Sequence, residues 1–472
     1  MRPFYCLFVF TIVVSPVLGQ QTPLSGDSIP SDAEIRKILI DRVDVLHKST
    51  GMVVGIVTPT GRRVVGYGRV GGIDSQSLDG DTVFEIGSVS KIFTALAMAD
   101  MWRKGEIAPN DPVSRYLPSD VSVPERNGRT ITLADLATQT SGLPFFPPNF
   151  SQTDQSAFAT YSLSQMYSAL STYALGKDPG TSWDYSNWGY GILGDALARK
   201  AGVAYATLIK NRITGPLGMT STGIELSPSM RIRFVSGHDA KLQVTPQWVL
   251  PSMEGAGSLR STANDLLTLL AAFAGITLSP LTPAMTKMLE IQRPGLGFRQ
   301  ALGWWVFETG PNSTFETHEG GTFGYSSTIA YDPAAHIGVV VLSNSATGDG
   351  GLAWHLLRPS FPLETSTSAK QLQERKETQV APKLLSAYVG KYQTEASNSV
   401  ITIELHDDYL LFKSPDAPQG LELYAESDSQ FFIKEADLQV SFQNGPDELP
   451  TALVIHFAGT SSTAKRLPDL PR

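Results

Sequence analysis

Three short segments of this chain hold the residue types that acyl transfer needs: Ser88-Val89-Ser90-Lys91, Tyr185-Ser186-Asn187 and His318-Glu319-Gly320-Gly321. A Ser hydroxyl is a poor nucleophile at neutral pH, so the chemistry requires a nearby base, a proton route to the leaving group and donors for the oxyanion. Ser88 and Lys91 are three residues apart, which on a helix puts both side chains on one face with the amine near the hydroxyl. A Lys in water is protonated, but burial lowers its pKa and lets the amine accept a proton. The run Ile92-Phe93-Thr94-Ala95-Leu96-Ala97-Met98-Ala99 is apolar nearly all round and predicts a helix sunk in a core. Ser88 is expected at its N-terminus, where free backbone N–H groups and the helix dipole favour negative charge.

Spacing alone is weak evidence, because Ser462-Thr463-Ala464-Lys465 repeats it. No apolar helix follows that copy, and Pro468 and Pro471 come almost at once, so it reads as a surface segment. Two matches to G-x-G-x-x-G, at Gly66–Gly71 and Gly189–Gly194, also fail on context. The first leads into Gly72 and Asp74 rather than a helix, and the second follows an aromatic turn rather than a strand. The histidines at 47, 238, 318, 336, 355, 406 and 456 show no metal-ligand spacing, and no metal or cofactor is expected.

Taken with their surroundings, the three segments resemble those of the penicillin-recognising serine hydrolases, the superfamily of class C β-lactamases, D-alanyl-D-alanine carboxypeptidases and family VIII esterases. Further blocks carry the likeness, including Phe84-Glu85-Ile86-Gly87 before the nucleophile, Leu133 to Pro144, and Trp188-Gly189-Tyr190. It spans roughly residues 30 to 358, and the stretch from Ser88 to Pro144 most resembles the AmpH-like carboxypeptidase/endopeptidases. The resemblance implies that Ser88 is acylated with Lys91 as its base partner, that Tyr185 shuttles the proton to the leaving group, and that Asn187 hydrogen-bonds Lys91 or the substrate amide. It places the oxyanion hole at the backbone N–H groups of Ser88 and Gly321, with Gly320 allowing close approach of that strand. A Tyr acts as a base only beside positive charge, and Lys91 and His318 are the expected sources.

The third segment departs from the carboxypeptidase pattern of Lys-Thr-Gly or His-Thr-Gly, whose cation and hydroxyl help to hold a terminal carboxylate. Glu319 stands in the Thr position. Facing the site, its carboxylate repels an anionic substrate; on an extended strand it could equally point away. The segment therefore leaves three readings open: amide hydrolysis of β-lactams or peptidoglycan-type D-amino-acid peptides, ester hydrolysis by the same residues, and non-catalytic binding of penicillin or cell-wall fragments.

The elements that must position these residues follow from pattern. Strands are expected at Val53 to Thr58, Arg63 to Gly68, Ser326 to Tyr331 and Ile337 to Leu342, and helices at Trp188 to Lys200 and Thr262 to Ala274. Strands at both ends with helices between predict an α+β fold, an antiparallel sheet flanked by helices, and the resemblance adds an all-helical subdomain of the β-lactamase/transpeptidase type. Gly142 to Tyr161 reads as a long loop whose Phe145, Phe146 and Phe150 either line an apolar substrate wall or pack the loop down. The segment 359–380 turns polar and reads as a linker. Six alternating runs from Val400 to Phe457 then predict a small β-barrel or sandwich over 381–472, and Leu384 to Tyr392 resembles the opening of a lipocalin-like domain.

Residues 1–19, with Arg2, an apolar run to Val14 and small residues near Gly19, read as a secretory signal peptide and predict export to the periplasm or medium. The run is too short for a stable membrane span. The sole Cys, Cys6, lies inside it, which excludes a cysteine nucleophile or disulfide from the processed chain. A net charge of −8 over 472 residues without a basic cluster argues against nucleic acid as a partner and leaves a small-molecule or peptide substrate.

Overall fold

Continuous apolar runs bounded by turn residues assemble into one large sheet. The computed structural model describes residues 29–69, 77–151, 155–295, 297–310, 313–348, 351–359, 361, 363, 375–394, 400–406, 409–414, 417–433, 438–445, 450–457 and 460–468. The segment read as a signal peptide and most of 359–380 lie outside these residues. Among the described residues no helix is long and apolar enough to cross a membrane.

In the first of two units, which ends at Pro359, the strands are β1 (Gly51–Thr58), β2 (Gly61–Gly68), β3 (Val83–Glu85), β4 (Glu125–Arg126), β5 (Arg129–Thr130), β6 (Arg260–Thr262), β7 (Arg293–Pro294), β8 (Arg299–Gln300), β9 (Trp305–Gly310), β10 (Ser313–Gly321), β11 (Ser326–Asp332) and β12 (Ile337–Ser343). Eight of them form an antiparallel sheet in the order β2-β1-β12-β11-β10-β9-β8-β7, while β3 pairs with β6 and β4 with β5. Every residue of β12 is buried, as a strand covered on both faces requires. The Ala263–Phe273 helix packs on one face, and a Cβ at Gly55 or Gly338 would come within 2.9 Å of its Leu267 or Leu270. Thr262 caps that helix by accepting from the Asp265 N–H.

The helix that carries Lys91, Ser90–Arg103, is buried on all sides from Ser90 to Met101. It differs from expectation at its start: a 3-10 turn, Gly87–Val89, carries Ser88 just ahead of the α-helix. Gly87 has φ +46°, and a Cβ there would meet the Gly321 backbone at 2.5 Å, so contact with β10 sets that tighter entry. The Asn187–Ala201 helix ends at Gly202, whose φ of +68° supplies the left-handed cap. The expected long loop contains a short helix, Gln155–Thr160, which buries Phe158 among aromatic rings.

The second unit, from Ser360, is a closed antiparallel barrel of eight strands: β13 (Gly390–Thr394), β14 (Val400–His406), β15 (Tyr409–Ser414), β16 (Ala417–Ala425), β17 (Gln430–Phe432), β18 (Leu438–Asn444), β19 (Pro450–Phe457) and β20 (Thr460–Arg466). The six expected strands are present; β13 and β20 are additional. In β20 only Ala464 is buried among the residues whose burial is described, so its sequence shows no run of large apolar residues. The Pro382–Tyr388 helix contributes Leu385 and Tyr388 to the barrel core, where Tyr388 stacks on Phe442 at 3.9 Å. Residues leading into it are pinned to the barrel by the Thr378 N–H, which donates to the Ala425 carbonyl.

Candidate active site

The Ser88–Lys91 segment, the Asn187–Ala201 helix and the Glu254–Gly257 turn converge on one buried amine. Lys91 has no exposed surface, and its Nζ lies 2.9 Å from Ser88 Oγ, 2.7 Å from Asn187 Oδ1 and 2.7 Å from the Ala256 carbonyl. Burial holds its pKa well below the usual Lys range. Three oxygens around Nζ match the donors of an ammonium, but a neutral amine satisfies the same set. It donates to Asn187 and Ala256 and presents its lone pair to the Ser88 O–H, the arrangement a general base requires.

Tyr185 hydrogen-bonds Ser88, with the Lys91 Nζ 4.8 Å from its ring centroid. Burial pushes its hydroxyl well above the ordinary Tyr range, and the Glu319 charge pushes the same way. His318, whose ring lies 6.4 Å from that of Tyr185 and stacks on Trp305 at 4.9 Å, is held down to a pKa of about 3 by burial, with the Lys91 charge adding to the effect. The expected pair of cations beside Tyr185 is therefore not how the site is charged. His318 is neutral at physiological pH because its ring is desolvated, and burial opposes charge on Lys91. Tyr185 is a phenol that can relay a proton rather than a standing phenolate.

The turn bearing Tyr185 and Asn187 is held by the Leu133 to Pro144 block. Gln139, in the left-handed region at φ +59°, accepts from the Ser186 N–H through its side chain (2.7 Å) and from the Asp184 N–H through its carbonyl (2.7 Å). Ser186 caps the helix by accepting from the Gly189 N–H while donating to the Pro144 carbonyl. The Asn187 N–H donates to the Phe145 carbonyl at 3.0 Å.

On β10, Gly320 and Gly321 lie directly against the Gly87–Val89 turn that carries Ser88. A Cβ at Gly320 would fall 2.1 Å from the Ile86 carbonyl and 3.0 Å from the Ser88 nitrogen, so only glycine admits this approach. Pairing of β10 with β9 stops at Thr317, opposite Trp305, while pairing with β11 continues to Gly321. Alternation puts Glu319 on the face of Thr317, away from the face of His318 and Gly320, yet it is only half-buried and its charge reaches Tyr185.

The three loop phenylalanines divide their tasks. Phe146 and Phe150 are buried and stack on each other at 4.6 Å beside Phe158, packing the loop; Phe145 stacks on Tyr185 at 5.8 Å and walls the site. Sequence reasoning missed Ala256, Gln139 and Trp305. A backbone carbonyl has no residue-type signature, so nothing marked Ala256; the Gln139 side of the Leu133 to Pro144 block was visible only as a motif. Glu85, just ahead of the turn that carries Ser88, was also unread: it is buried, accepts from the Trp248 N–H at 2.8 Å and pairs with Arg260 at 3.3 Å.

Residues 39–359 match the family model described as Beta-lactamase, and residues 374–466 match a domain of unknown function, DUF3471. The chain is 29% identical over 310 residues to the D-alanyl-D-alanine-carboxypeptidase/endopeptidase AmpH of Escherichia coli strain K12, covering 62% of this chain and 79% of that protein. It is 24% identical over 417 residues to penicillin-binding protein 4* of Bacillus subtilis strain 168, covering 83% of this chain and 89% of that one. Among solved structures, a class C beta lactamase from Rhodobacter sphaeroides is similar with a TM-score of 0.59 and 26% identity, over 70% of this chain and 99% of that chain. The D-alanine carboxypeptidase AmpC from Burkholderia cenocepacia is similar with a TM-score of 0.57 and 26% identity, over 69% of this chain and 99% of that chain. By the family match over most of its length the chain belongs to the beta-lactamase family and is a serine hydrolase of the beta-lactamase/D-alanine carboxypeptidase kind.

Proposed function

We propose that the chain is an exported serine hydrolase that forms an acyl-enzyme on Ser88 from an amide, either a peptidoglycan-type D-amino-acid peptide or a β-lactam, and then deacylates it with water. The observation that carries this reading is the Ser88–Lys91–Asn187–Ala256 cluster, with its buried amine 2.9 Å from the hydroxyl. As Ser88 Oγ attacks the carbonyl carbon, its proton passes to Lys91. The N–H groups of Ser88 and Gly321 hold the oxyanion. Tyr185 relays a proton to the leaving nitrogen as the C–N bond breaks. Water then attacks the ester, giving a proton back through the same groups and releasing the acid and the Ser88 hydroxyl. The name of one curated relative, a D-alanyl-D-alanine-carboxypeptidase/endopeptidase, supports amide chemistry on D-amino-acid peptides, and that of the other, a penicillin-binding protein, supports recognition of β-lactams.

A carboxylesterase of the same fold is the second reading, and Glu319 is the observation that favours it. A carboxylate beside the site disfavours a substrate bearing its own carboxylate next to the scissile bond. Intact-mass analysis after brief incubation with a fluorescent penicillin, alongside a nitrophenyl ester assay, separates the two. An adduct on the wild type and none on Ser88→Ala, or Ser88-dependent loss of penicillin, supports amide chemistry. Ester turnover with neither result favours the esterase, and turnover of either substrate by Ser88→Ala overturns both.

A further inference from the structure

Beside the catalytic groups stands a wall of rings with a carboxylate among them. Thr317 pairs with Trp305 across β10 and β9, the Trp305 ring stacks on His318 at 4.9 Å, and Glu319 follows where that pairing has ended, its charge reaching Tyr185. On the Thr317 side the Trp354 indole N–H donates to Thr317 Oγ1 at 2.9 Å, and Phe307 lies 5.5 Å from Trp354. Phe298 packs 5.4 Å from Trp305 and 5.5 Å from Trp183, and Trp183 lies 6.3 Å from Tyr185. The Trp183 indole is oriented by its N–H bond to Gln300 Oε1 at 2.9 Å. Trp183, Phe298 and Glu319 are all partly open to solvent.

Electron-rich ring faces attract a cation, and most strongly when a carboxylate shares the site. We propose that Glu319 with Trp183, Phe298 and Trp305 forms a subsite for an ammonium group of the substrate, next to the bond that Ser88 attacks. The assignment of the neighbouring bond rests on the serine hydrolase reading above; the cation subsite does not. It explains why this chain places Glu319 where a neutral hydroxyl would help to hold an anion: the subsite is built for the opposite charge.

Three matched thioesters test it by thiol release: acetylthiocholine, its uncharged analogue 3,3-dimethylbutyl thioacetate, and S-acetyl-3-mercaptopropionate. The expected order of kcat/KM is cation, neutral, anion, with the cation about tenfold ahead of the neutral analogue and that ratio falling towards one in Glu319→Gln and in Phe298→Leu. A wild-type ratio of one, or a ratio unchanged in Glu319→Gln, overturns the subsite. Tryptophan fluorescence titrated with tetramethylammonium reads the wall without turnover. Saturable quenching about tenfold weaker in Glu319→Gln is expected, and quenching that is linear or indifferent to that substitution overturns the proposal. Thiol release that survives Ser88→Ala strikes instead at the hydrolase reading, and the titration still decides the subsite.

Discussion

Ser88-Val89-Ser90-Lys91 and Ser462-Thr463-Ala464-Lys465 have the same spacing and end in opposite circumstances. The first turns through a 3-10 entry into a helix with no exposed face, which brings hydroxyl and amine to 2.9 Å and removes the amine from water. The second lies on β20 of the barrel, where residues three apart point to opposite faces, and its Lys465 is exposed. Burial is the difference that matters, because it moves the Lys91 pKa while leaving the residue type unchanged. A four-residue motif thus becomes chemistry only when the element carrying it folds the pair together and desolvates it.

The largest effect that can break this contrast is loss of the Ser88 hydroxyl, the proposed nucleophile. Ser88→Ala is expected to lower single-turnover acyl transfer by on the order of 10⁶, as removal of a serine nucleophile does elsewhere. Ser462→Ala is expected to leave the rate unchanged, and a comparable loss there would make the barrel copy part of the chemistry.

How much of this was legible beforehand differs between the units. Helix and strand identities around the site followed from pattern: the apolar run from Ile92 to Ala99 could only be buried, and β12 reads as a covered strand from its unbroken apolar sequence. Electrostatics was not legible. His318 looks like a cation in sequence, but stacking on Trp305 and burial leave it neutral, and that depends on contacts between β9 and β10 set by register. The Ala256 carbonyl, equally hidden, is a main-chain atom delivered by the Glu254–Gly257 turn. In the barrel, β20 escaped because Ser461, Ser462 and Thr463 supply no large apolar side chain, and closure of the barrel rather than propensity makes it a strand.

A sharper version of the contrast exchanges the lysines for arginine. Lys91→Arg keeps the charge but cannot give it up, so acyl transfer should fall by about 10²- to 10⁴-fold, the range of a lost general base. The wild-type rate should rise with pH through a pKa below the ordinary Lys value and then level off, because deprotonation creates the base; the variant should lack that rise. Lys465→Arg should reproduce the wild-type curve. A pH profile shared by wild type and Lys91→Arg would show that the amine is not the titrating base.

The smallest effect is on stability, and its sign follows from the same burial. The folded pKa of Lys91 lies below its unfolded value of 10.5, so between the two the unfolded chain binds a proton that the folded chain does not. Stability from this group therefore rises with pH across that window, by at most about 1.4 kcal/mol per pH unit, and falls again as pH drops towards the folded pKa. Lys91→Met has no proton to bind in either state. Its stability relative to wild type depends at any one pH on the Asn187 and Ala256 oxygens it leaves unpaired, which makes a single measurement ambiguous. The slope is not ambiguous: urea midpoints taken across neutral to alkaline pH should show wild type gaining on Lys91→Met as pH rises. Lys465→Met supplies the matched comparison at an exposed position. Equal slopes at the two positions would mean that Lys91 keeps its proton in the fold, and that its amine must be deprotonated by bound substrate rather than by burial.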